Sequence, residues 1–199
     1  MPPAREVPQR FETEHTSSQC HLLLGIRTGI TCGSPDFYAM MLCHEILGMS
    51  PISRLFVHVR EKHGLCYSCS SEYHTDRGDI IIRCGISEKD RDLAEQAILE
   101  QLDVMKRGDF DDAEWNAACK SLENTYRQVN DSTRSIHNFY ELRALLGVHQ
   151  TPEECRAHFA ALTREQVIAA AQHLTVDTVL FQRGTGKGDE GEEEGSDDA

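Results

Sequence analysis

The chain has 199 residues, 27% charged and 39% apolar, the balance of an ordinary soluble protein and enough length to bury one core. A formal net charge of −13 argues against a nucleic-acid partner, which would call for a basic stripe. No apolar run approaches a membrane span and the N-terminus lacks the apolar core of a secretory signal, so a cytoplasmic protein with no membrane partner is expected.

In chain order, residues 1–18 are polar, contain three prolines and read as a lead-in linker. Residues 19–28 alternate as a strand, with Cys20, Leu22, Leu24 and Ile26 on one face and Leu23 and Gly25 on the other. After a turn, Ser34 and Pro35 predict a capped helix carrying Phe37, Met40, Met41 and His44. Residues 47–73 then read as a loop, a short helix capped by Ser53, a glycine stop at Gly64 and a strand from Leu65. Leu55, Phe56 and Val59 share a helix face. Strict alternation in the strand predicts Leu65, Tyr67, Cys69 and Tyr73 on one side, with Cys66, Ser68, Ser70 and His74 on the other.

Asp76-Arg77-Gly78 predicts a hairpin turn into a strand over 80–86, with Ile80, Ile82, Cys84 and Ile86 on one face. An amphipathic helix over 88–107 would bury Leu93, Ala97, Ile98, Leu102 and Met105 and end at Gly108. Asp111 with Glu114 forms a capping-box-like start to a helix through about 129, burying Trp115, Ala118, Leu122, Tyr126 and Val129. A further helix from Ser132 or Thr133 carries Ile136, Phe139, Tyr140 and Leu146. Capping boxes at Thr151 and Thr163 start two more, and 175–183 closes the core as a strand. The fold class expected is α+β, an antiparallel or mixed sheet with helices packed mainly on one face. Residues 184–199, with seven acids and five glycines, read as a disordered acidic tail.

Eight cysteines lie mostly in apolar periodic segments and read as free, buried thiols of a reducing compartment. Cys66 and Cys69 make a C-x-x-C without a second pair, and on a regular strand an offset of three would place them on opposite faces, preventing chelation. His44-Glu45 lacks a second histidine one turn on, and neither H-x-x-E-H nor H-E-x-x-H occurs. No metal site is therefore assigned, and His44 reads as a partly buried polar residue.

Ser53-Arg54-Leu55-Phe56, then Arg60-Glu61-Lys62, then Leu65 and Tyr67, resemble the second, zinc-free half-domain of the pitrilysin/insulinase family of zinc peptidases, which includes the mitochondrial processing peptidase. The match is specific here and looser but continuous from about residue 18 to 183. The resemblance implies one half-domain over 19–183, similar to bacterial processing-peptidase-like subunits lacking the zinc motif. It implies that Arg60 and Tyr67 act as accessory catalytic and substrate-binding groups toward a zinc site on another half-domain or subunit. His63 and Lys62 are candidates for lining the same chamber. The partners implied are that zinc-bearing relative and a peptide substrate, and this chain would be inactive alone, with no cofactor of its own. A catalytically dead scaffold of the same fold and a module binding extended peptides at a sheet edge remain open.

Overall fold

Alternation along one central strand decides which way the sheet faces. In the computed structural model, which describes residues 7–61 and 64–186, that strand is β2 (Cys20–Arg27). Cys20, Leu22, Leu24 and Ile26 are buried, and the residues between them are half-buried. Around it lie β1 (Gln9–His15), β3 (Cys66–His74), β4 (Asp79–Ile86) and β5 (Thr175–Gly184), in the order β1-β5-β2-β4-β3. β1 runs parallel to β5, and the remaining neighbours are antiparallel. The buried face of β2 and β4 joins one core with helices α1 (Phe37–His44), α2 (Arg91–Arg107), α3 (Asp112–Arg127), α4 (Thr133–Leu145), α5 (Pro152–Ala160) and α6 (Arg164–Ala171). The α+β class, with a mixed sheet, is as expected. No helix among the described residues is long and apolar enough to cross a membrane.

Local signals translate directly. The capping boxes at Asp111, Thr151 and Thr163 all form, each side-chain oxygen accepting from the backbone three residues on. Gly108 ends α2 at φ +75, the left-handed conformation a side chain would strain.

Four expectations need correction. Gln9–His15 of the supposed lead-in forms β1, every residue of it exposed. Backbone pairing to β5 and ion pairs hold it: Arg10–Glu95 at 2.6 Å, and Glu12 with Arg91 at 3.0 Å and Arg183 at 2.8 Å. With nothing buried it leaves no hydrophobic pattern. Ser34 does not cap α1; its hydroxyl accepts from the Thr31 amide at 2.9 Å, and the helix starts after Asp36. Leu93 is exposed and Ala94 takes its place, because a 3₁₀ turn at Glu88–Asp90 precedes α2. Among the described side chains of α4, Phe139 joins the core, while Ile136 and Tyr140, and Leu146 just past the helix, are exposed. Of the acidic tail, residues 187–199 lie outside the described residues.

One buried arginine fixes the region that follows α1. Arg54 donates from Nε to Gln101 Oε1 of α2 at 3.0 Å and from Nη1 to Glu114 of α3 at 2.8 Å. Glu114 also accepts from the Asp111 amide, so one carboxylate caps α3 and neutralises the guanidinium. Arg54→Ala should therefore cost about 3–5 kcal/mol, the usual consequence of leaving a buried charge without its partner. Urea unfolding monitored by circular dichroism measures it; a loss below about 1 kcal/mol, as for a surface pair, would refute the anchoring role.

Candidate functional site

The corner carrying Arg60 and Tyr67 is built from two irregularities. Leu55–Glu61 winds as a π-helix rather than the α-helix expected. Ser53 closes its first turn through its carbonyl, which accepts from the Val57 amide at 2.9 Å. Leu55 and Val59 are buried and Phe56 is half-buried, the apolar face read from the sequence. Arg60 is exposed, its guanidinium 5.0 Å from the centre of the Phe56 ring, a cation–π contact. Gly64 ends the segment at φ +58 with its amide on the Arg60 carbonyl at 3.1 Å. Lys62 and His63 lie outside the described residues.

The second irregularity is a bulge at the start of β3. Cys66 pairs with Ile86 and Ser68 with Gly85, so β3 advances two residues while β4 advances one, and Tyr67 is the extra residue. Tyr67 stands out from the strand, 68% exposed, over a groove shared with Cys20, Ile86 and Glu88. The bulge overturns the strict alternation expected from the sequence. Cys66 moves onto the core-facing side with Cys69, Ser71 and Tyr73, and Tyr67 leaves that side. The premise that Cys66 and Cys69 cannot share a ligand fails for the same reason. Their Sγ atoms and that of Cys84 all lie within 4.8 Å of one another. S–H bonds from Cys69 and Cys84 hold the Cys66 thiol below its ordinary range against the cost of burial, and the nearby Arg60 charge adds to this. The same bonds push Cys69 and Cys84 up.

Residues 1–122 match the family model described as the peptidase M16 inactive domain. The chain belongs to that family. "Probable inactive metalloprotease YmfF" of Bacillus subtilis (strain 168) is 29% identical over 178 residues, which are 89% of this chain and 42% of that protein. "Uncharacterized zinc protease YmxG" of the same organism is 30% identical over 173 residues, 85% of this chain and 41% of that protein. A conserved protein of Enterococcus faecalis V583 superposes with a TM-score of 0.87 at 28% identity, covering 94% of this chain and 44% of that one. A peptidase M16 inactive domain from Pseudomonas fluorescens superposes with a TM-score of 0.74 at 27% identity, covering 92% and 45%. The chain thus spans less than half the length of these relatives.

Within this M16 inactive domain, His44 packs between α1 and β3, while Glu45 is buried toward α3, where Ser121 bonds its carboxylate. The His44 imidazole is buried and bonds Ser71 Oγ at 3.0 Å, the buried polar role expected of it. Burial lowers its pKa to about 4, and burial raises that of Glu45. Gly48, on the π-helical turn Glu45–Met49 that continues α1, allows this close approach: a Cβ there would lie 1.9 Å from Ser71 Oγ. The His44 proton is bound more tightly in the unfolded chain, whose pKa is near 6.5, than in the folded one. Its contribution to stability is therefore present above pH 6.5 and is lost as the pH falls toward about 4. The loss should reach roughly 3 kcal/mol, and His44→Gln should flatten that part of the curve. Urea midpoints from pH 7 to pH 4 check this; equal slopes in both proteins would refute it.

Proposed function

We propose that this domain is the metal-free half of a pitrilysin/insulinase-type zinc peptidase, supplying Arg60 and Tyr67 to a zinc site on another half-domain or subunit of the same family. The observation that carries the reading is the bulge at Tyr67, which spends a strand residue to aim a phenol outward, seven residues after an exposed arginine. Bulges recur where a sheet must re-aim a side chain beside an active site. A purely structural tyrosine would sit within the alternation and bury its ring.

The chemistry fits the division of labour. Attack of a zinc-bound water on a peptide carbonyl develops a tetrahedral oxyanion, and a donor placed where that charge grows lowers the barrier. Tyr67 donates its hydroxyl to the oxyanion or to a carbonyl next to the scissile bond. Arg60, with its fixed fork of donors, holds a substrate carbonyl or carboxylate. The substrate is a peptide in extended form, and β3, which ends the sheet order, offers an edge along which it can run. The chain alone cleaves nothing, since the attacking water belongs to the partner. Its eight free thiols suit the reducing cytoplasm.

In a complex reconstituted with a zinc-bearing partner, Tyr67→Phe should lower turnover about 100- to 1,000-fold, the usual cost of removing one oxyanion donor. Folding stability should change by less than about 0.5 kcal/mol, since the ring is exposed. Peptide hydrolysis and thermal unfolding measured on the same preparations test this. Undiminished turnover would leave the bulge as a structural feature and the domain as a scaffold.

A further inference from the structure

The peptidase reading does not use the three sulfurs gathered behind Tyr67. Cys66 and Cys84 are buried, and Cys69 is half-buried. The cluster is a product of register. Cys69 and Cys84 are direct cross-strand partners, their Sγ atoms 2.7 Å apart, and the bulge brings Cys66 onto the same side. Three thiolates around one ion at about 2.3 Å from each would stand roughly 4 Å from one another, within the 4.8 Å span already present. The Cys69–Cys84 contact, at 2.7 Å, would have to lengthen by about 1.3 Å to reach that spacing.

We propose that Cys66, Cys69 and Cys84 form a three-thiolate binding site for copper(I). The donor set selects the ion. Thiolates disfavour hard cations such as magnesium and calcium, and choose among copper(I), zinc and iron–sulfur clusters. Structural zinc takes four protein ligands and iron–sulfur clusters take four cysteines. Among the described residues, no fourth histidine, cysteine or carboxylate joins this group. Copper(I), a soft d¹⁰ ion, is satisfied by three sulfurs in a plane. Copper(I) with three thiolates carries a net charge of −2, and Arg60, whose field already reaches Cys66, offsets part of it. The other five cysteines lie at positions 20, 32, 43, 119 and 155 and belong to no such group among the described residues.

The test is an anaerobic titration of the fully reduced chain with copper(I) in competition with a chromogenic copper(I) chelator, followed by X-ray absorption at the copper edge. One copper per chain, in a shell of sulfur scatterers near 2.3 Å, is the expected result. Cys66→Ser and Cys69→Ser should each weaken retention by more than about 100-fold, beyond the 10- to 100-fold that loss of an outer-shell partner costs. Cys119→Ser should leave retention unchanged. Because Cys69 is only half-buried, its serine variant tests the site even if the Cys66 variant folds poorly. Failure of the reduced chain to outcompete the chelator would overturn the proposal, as would equal retention in the Cys69→Ser chain. So would retention of zinc(II) but not copper(I). A Cys69–Cys84 disulfide in the isolated protein, together with no copper uptake after reduction, would reassign the cluster to redox chemistry.

Discussion

The corner that carries Arg60 and Tyr67 depends on the buried guanidinium of Arg54. Leu55–Glu61 is a single seven-residue segment, too short to hold helical geometry through local hydrogen bonds alone. Its position comes from tertiary contacts at its beginning: Arg54 against Gln101 and Glu114, and Leu55 and Val59 in the core. Glu114 lies at the start of α3, where it completes a capping box, and Gln101 lies on α2. The same pair of charges therefore couples the helix layer to the corner above the sheet. A buried ion pair contributes little to net stability, but it tolerates few alternative placements, and that makes it suitable for fixing a segment with no stable shape of its own.

From that anchored segment the chain enters β3 through Gly64 and immediately bulges. A single extra residue has two consequences on opposite sides of the strand. Outward, it projects a phenol that strict alternation would have turned toward the core. Inward, it shifts Cys66 into line with Cys69 and Cys84. The rest of β3 is pinned by its ladder to β4 and by the close packing of Gly48 against Ser71, which leaves no room for the register to slip. The exposed phenol and the buried sulfurs are therefore aspects of one backbone feature, and any change in the bulge moves both.

Membership in the M16 inactive-domain family accords with what the side chains offer. His44 is buried with an imidazole nitrogen bonded to Ser71, and the adjacent Glu45 is buried as well. What faces solvent at the corner is Arg60 and Tyr67, the two donors on which the proposed role rests.

The amino-acid sequence by itself determined whatever rests on neighbours within a few residues. The three capping boxes, the left-handed stops at Gly64 and Gly108, the hairpin at Asp76-Arg77-Gly78 and the alternation in β2 and β4 are of this kind, as is the Arg60–Tyr67 spacing that carries the family resemblance. Each is a local backbone or side-chain preference, so it can be read without knowing what packs against it. Tertiary structure decided what depends on partners far along the chain. β1 is ordered by pairing with residues about 170 positions away and by ion pairs, and so has no apolar signature. Arg54 acquires its role only when α2 and α3 meet it. The bulge arises from the register between β3 and β4, and no alternation rule applied to β3 alone reveals it, because an inserted residue looks like any other until its partner strand is in place.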